Sequence, residues 1–244
     1  MRLATVTAAA VLALAVTAPA HAGAPRAAPP SDPPGGARWE LAEQPGEREM
    51  ADSSGNGLVG TVGGDVGVGT RFGSVFSPAS GYRFPVVAPD ELPVRPGHTV
   101  VVPDDDRLDP GTADWVVEVR LRAAGPDGNV LQKGQSGSPR GFWKVELNSG
   151  EPTCLFRGPR GTNAVRARGV PVDDGSFHTV RCERTAEVVD LWVDGRHAGR
   201  NTGPTGPIRN NQPLSVGGKQ RCDQLSVGCD YFSGDLDWVS ITTP

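Results

Sequence analysis

Apolar and polar side chains alternate one by one through the second half of the chain. In residues 114–122, DWVVEVRLR, Trp115, Val117, Val119 and Leu121 fall on one side, and Glu118, Arg120 and Arg122 fall on the other. A period of two is the signature of a β-strand with one face in a core and one in water. GFWKVEL sets Trp143, Val145 and Leu147 against Phe142, Lys144 and Glu146, and SFHTVRCER sets His178, Val180 and Cys182 against Phe177, Thr179, Arg181 and Glu183. Shorter strands are expected in NVLQKG, PLSVGG and SGDLDWVSI. VVDLWVDGRHAG, residues 188–199, points Val189, Leu191 and Val193 one way and Asp190 and Trp192 the other, then runs into Asp194-Gly195. Asp-Gly after such an alternation predicts a β-hairpin, because a type I′ turn needs two residues with positive φ. Helical periodicity is nearly absent, and turn residues are abundant, with 33 Gly and 23 Pro in 244 residues. The prediction is an all-β, antiparallel two-sheet sandwich rather than βαβ units.

The order of these segments resembles the laminin G-like, concanavalin A-like jelly-roll family. The matching pieces are WELAEQPGEREMADSSGNGL, FWKVEL, DDGSFHTVRCERTAEVVDLWVDGRHAG and FSGDLDWVSI, which together span residues 38–242. Phe177 departs from the pattern, since the family usually has Trp before the His. The resemblance implies a jelly-roll sandwich, a binding role rather than a catalytic one, and often a structural calcium ion. It also implies that LWVDG is a core hairpin strand whose Trp192 faces away from the sandwich centre, and that His178 is interior and hydrogen-bonded.

The N-terminus follows a different pattern. Arg2, the apolar run Ala8 to Val16 and Ala20-His21-Ala22 read as a secretory signal peptide over residues 1–22, cleaved before Gly23. The run is too short to span a bilayer, so membrane insertion is not expected. Residues 23–37, GAPRAAPPSDPPGGA, read as a Pro/Gly/Ala-rich linker, and 38–244 as one domain. A formal net charge of −4 argues against nucleic-acid partners, which need clustered cations. In an exported chain Cys154, Cys182, Cys222 and Cys229 read as two disulfides with three possible connectivities. The expected pairing joins Cys222 to Cys229 across a short loop and Cys154 to Cys182 between neighbouring strands. The absence of a Cys-x-x-Cys pair argues against a zinc site.

Catalytic motifs are lacking. Retaining glucanases of this fold place their carboxylates as Glu-x-Asp-x-x-Glu on one strand, and that string does not occur. A Gly-x-Ser-x-Gly elbow is also missing. His98 and His197 sit in loop-like segments and are expected to be exposed. The acidic run PDDDRLDPG, with Asp104, Asp105, Asp106 and Asp109, reads as a solvated loop. Calcium ligands are sought in Asp52, with Asn56 in the same loop, and in Asp237, which matches a ligating position of related folds; an Asx-turn and a strand cap are the competing roles. The outward Trp192, together with Phe142, Lys144 and Glu146, forms the expected ligand surface; packing of Trp192 beneath a crossing loop is the competing role, and the more usual one for a large aromatic side chain. The function expected is a secreted, monomeric, non-catalytic module that binds a glycan or extracellular polymer. A polysaccharide hydrolase or lyase on the same scaffold, or a protein-binding adhesion module, is the alternative.

Overall fold

A computed structural model of the chain describes residues 36–72, 80–92, 94–220, 222 and 228–243. The signal peptide and most of the linker expected from the sequence lie outside them. In chain order the strands are β1 (Ala37–Trp39), β2 (Glu49–Met50), β3 (Gly60–Val62), β4 (Gly67–Arg71), β5 (Ser80–Phe84), β6 (Val100–Val102), β7 (Trp115–Ala123) and β8 (Gly128–Lys133). They continue with β9 (Phe142–Asn148), β10 (Glu151–Gly158), β11 (Gly161–Arg166), β12 (His178–Arg184), β13 (Val188–Val193), β14 (Arg196–Thr202), β15 (Leu214–Val216) and β16 (Gly234–Thr242). The first sheet runs β14-β13-β12-β7-β16-β5-β4, with β1 also against β16, and the second runs β11-β10-β9-β8-β15-β6-β3-β2. The fold is the expected antiparallel jelly-roll sandwich. Ala37, at the end of the stretch expected to be linker, already pairs with Ile241 and is fully buried.

The alternation read from the sequence becomes the core. Trp115, Val117, Val119 and Leu121 of β7 are buried, as are Trp143, Val145 and Leu147 of β9 in the opposing sheet. Trp115 and Trp143 meet edge to face with centroids 6.1 Å apart, a favoured aromatic geometry. Each such large apolar side chain removed from water contributes about 1.5–3 kcal/mol. The hairpin forms as its turn chemistry requires, with Asp194 at φ 50° and Gly195 at φ 73°, and Val189, Leu191 and Val193 point inward.

Both disulfides pair as expected, Cys154 with Cys182 and Cys222 with Cys229. The strand relation differs, however. Cys154 is on β10 and Cys182 on β12, so the bond crosses the core between the two sheets rather than joining neighbours in one. Strand period fixes which face a cysteine takes but not which sheet its strand joins.

Two loop expectations are corrected. The acidic run is an anchor, not merely a solvated loop: the fully buried Lys133 ammonium donates to Asp104 at 2.7 Å, to Asp109 at 2.8 Å and to the Asn210 carbonyl at 2.8 Å. A buried ammonium is costly unless paired in this way. Asp105 caps the short 3-10 turn Asp106–Leu108, and the Arg107 guanidinium beside it holds its carboxyl at about 2. His98 is not exposed either. It is fully buried against Phe84 and Tyr231, because the 3-10 turn Pro96–His98 folds its ring inward.

Candidate functional site

Side chains that point away from the core of the first sheet align across its strands. Trp192 of β13 pairs with Arg181 of β12, Arg181 with Glu118 of β7, Glu118 with Ser240 of β16, and Ser240 with Arg38 of β1. Beyond Trp192, a register shift in β14 brings His197 opposite it, with the two rings edge to face at 4.9 Å. The row thus interleaves aromatic, cationic and anionic groups, which is what period-two alternation yields when strands stack in register.

A groove of about 190 Å³ opens on this row, lined by Glu118, Thr179, Arg181, Glu183, Trp192 and Gly195. Arg181 is held between two carboxylates, donating to Glu183 at 2.6 Å and lying 3.6 Å from Glu118. Burial pushes the Glu118 carboxyl above the usual range, against the pull of Arg181 and Arg38 and with help from the negative charge of Glu183. Trp192 is partly exposed, but its indole Nε1 is buried and has no hydrogen-bond partner among the described residues, so the ring rather than its N–H faces the groove. Its ring is braced from the side by His197. His197 in turn contacts Asp190 at 2.7 Å, and Arg200 binds the same carboxylate through two nitrogens. The His197 side chain is 42% exposed, so the expected exposure holds, but the ring has a partner that the sequence did not suggest.

A second cluster lies on the same sheet. The Phe72 and Phe177 rings meet at a tilt of 52° with centroids 4.9 Å apart, and the Arg122 guanidinium lies over both. Arg83 and Arg122 converge on Asp235, and Arg120 donates to Asp237 at 2.9 Å. Each guanidinium thus has a carboxylate partner, but three of them share two carboxylates, which leaves the cluster with one net positive charge.

The ligand surface expected from the sequence is divided. Trp192 meets Arg181 and Glu183, but Phe142, Lys144 and Glu146 lie on β9 of the second sheet. They therefore form no joint surface with Trp192, and Lys144 is tied to Glu146 by an ion pair. Glu118, Thr179 and Gly195 line the groove without having been singled out as candidates. Their outward position on β7, on β12 and in the hairpin turn was the available signal, but not their adjacency.

The carboxylates considered for calcium are engaged by protein groups. Asp52 accepts from the Arg38, Ser54 and Leu58 backbone amides and from the Ser54 hydroxyl. These bonds outweigh burial and hold its carboxyl below the usual value. The Asn56 side-chain amide donates to the Gly36 carbonyl, and Asp237 is engaged by Arg120. Among the described residues no group of three or more His, Cys, Asp or Glu side chains is arranged to hold a metal. His178, the first residue of β12, is only partly buried rather than interior, its two ring nitrogens bonded to Asp194 at 2.7 Å and Asp174 at 3.0 Å. That places it in a structural bracket rather than in the groove.

A family model, the laminin G domain, matches residues 121–242, from β7 to the end of β16. The chain belongs to the laminin G domain family. The match includes β12 and the β13–β14 hairpin, so most of the groove is built from strands of the laminin G domain itself, with Glu118 just outside. Among solved structures, domains LG4-5 of the mouse laminin α1 chain are 19% identical, covering 54% of this chain and 34% of that one, with a TM-score of 0.43. The binding domain of Paraclostridial Mosquitocidal Protein 1 is 11% identical over 80% of this chain and 45% of its own, with a TM-score of 0.54. The binding domain of botulinum neurotoxin serotype D is 10% identical over 85% and 46%, with a TM-score of 0.53. The chain spans less than half the length of each of these structures, and at such identities the two toxin binding domains show a shared fold alone. No curated protein matches the sequence.

Proposed function

We propose that this laminin G domain is an extracellular, non-catalytic binding module that holds a glycan against Trp192 on the outer face of the first sheet. The observation that carries this reading is a braced, partly exposed indole in a groove edged by Glu118, Thr179, Arg181 and Glu183. A sugar presents a C–H face that can lie on an aromatic ring, and its hydroxyls both donate to carboxylates and accept from a guanidinium. The two disulfides fit an oxidising, extracellular setting. Two fold relatives are themselves binding domains, in keeping with that role.

The test is Trp192→Ala, assayed for retention on a panel of insoluble polysaccharides and cell-wall material and for thermal stability. Loss of retention is expected with a melting temperature within about 2 °C of the parent, as for a surface substitution. A stability loss of roughly 3–5 kcal/mol would instead make Trp192 a packed lid. Release of reducing ends from the same panel would favour a hydrolase.

A further inference from the structure

Lys133 is the last residue of β8, in register with Trp143 of β9 and Leu214 of β15. Both neighbours are fully buried core residues, and so is Leu108, whose carbonyl accepts from the Trp143 indole at 3.1 Å. A lysine whose side chain is 0% exposed therefore ends in a dry, apolar setting. Its ammonium meets Asp109 Oδ1 at 2.8 Å, and the Asp109 side chain is itself only 3% exposed. Asp104 meets the same ammonium at 2.7 Å and is the more open carboxylate, 36% exposed.

An amine and a carboxylic acid are the two halves of an amide. In water they stay apart because both are charged and hydrated and must find each other; a fixed contact inside a protein removes these obstacles, and intramolecular proximity is worth effective concentrations of about 10⁵–10⁸ M. Two further features suit Asp109 to the role of acyl donor. Burial pushes its carboxyl above the usual range, against the pull of Lys133 and with help from the charge of Asp104, which favours the neutral, electrophilic acid. The Asn210 backbone N–H lies 3.4 Å from Asp109 Oδ1 and 3.3 Å from Oδ2, where it can stabilise negative charge that develops on oxygen during attack at Cγ.

We infer that Lys133 and Asp109 condense into an intramolecular isopeptide bond, with Asp104 as the proton carrier. The ammonium first passes one proton to the Asp109 carboxylate, leaving an amine and a neutral acid. Nζ then attacks Cγ and forms the C–N bond. Asp104 takes a proton from that nitrogen and returns it to the departing hydroxyl, so the Cγ–O bond breaks and one water leaves. No oxidant or external reactant is needed. The product replaces a buried ion pair, costly to desolvate, with a neutral amide. Its N–H has an acceptor waiting in the Asn210 carbonyl, 2.8 Å from Nζ. The bond would tie the acidic loop to β8 across a separation of 24 residues, and it does not rest on the Trp192 reading.

Intact mass of the whole folded chain, measured after reduction of both disulfides, tests the inference. The expected mass is one water below that required by the sequence. Tryptic digestion should yield residues 108–120 joined to residues 123–140, uncut after Lys133 because its amine is acylated. Asp104→Asn keeps an oxygen to accept from the ammonium but cannot carry the proton, and should slow joining by roughly a hundredfold or more. Lys133→Arg should show the full mass of its own sequence. The inference is overturned if the parent chain has its full mass, or if water is lost while the two peptides remain separate, as from a succinimide at an Asp-Gly pair. It is equally overturned if residues 123–140 are joined to the peptide that carries Asp104, or if Asp104→Asn joins as fast as the parent.

Discussion

His98 and His178 carry the same side chain and respond to acid in opposite directions. His98 donates from Nε2 to the Phe232 carbonyl at 2.7 Å, and that tautomer leaves Nδ1 as a buried lone pair without a donor. Burial holds its pKa below the ordinary value, although the carbonyl and Asp65 pull it upward. The folded state therefore binds fewer protons than the unfolded chain. The stability linked to His98 is present above pH ~6.5 and is lost as pH falls through the folded pKa. Burial also acts on His178, but its bonds to Asp194 and Asp174 outweigh it and raise the pKa. Its contribution is full below pH ~6.5 and is lost as pH rises through the folded pKa. A proton NMR titration of the imidazoles should place the His98 midpoint below 6.5 and the His178 midpoint above it; the reverse order would contradict both assignments.

The strands β7, β9, β12 and β13 were legible because each buries one face, so the period-two pattern is written into the side chains themselves. The β10–β11 hairpin was not anticipated, since Pro152, Gly158 and Gly161 interrupt its alternation. The two disulfides act on these elements unequally. The Cys154–Cys182 bond joins residues 28 apart and links the sheets, whereas Cys222–Cys229 closes a separation of 7. Chain entropy assigns them about 3.6 and about 2.4 kcal/mol, respectively. Chemical denaturation of the paired Cys→Ala variants should therefore show the larger loss for the inter-sheet bond. Equal losses, or a greater loss from the short loop, would mean that strain or packing outweighs loop closure.

For the whole molecule, the sandwich builds its stability from the core between the sheets and from loops tied down by protein groups. The first strand is held at its start by Asp52, and the acidic loop by Lys133. A ligand that binds only the folded state raises the melting temperature by mass action. Because Asp52 and Asp237 are already engaged by protein donors, neither added calcium nor a chelator is expected to move the transition. An upward shift with calcium that Asp52→Asn abolishes would show that the loop takes up the ion after all.

The sequence by itself determined the fold class, the inward and outward faces of the long strands and the hairpin at Asp194-Gly195. These follow from local periodicity and turn chemistry, whereas the pairing of Cys154 with Cys182 was an expectation that only the inter-sheet packing decided. The tertiary structure alone decided that Phe142, Lys144 and Glu146 stand on the opposite sheet from Trp192, and that Glu118 joins Arg181 beside that ring. It also decided that His98 is buried and that Lys133 reaches Asp104 and Asp109. Those outcomes depend on which strands become neighbours, and strand period carries no information about neighbours because every outward face reads alike.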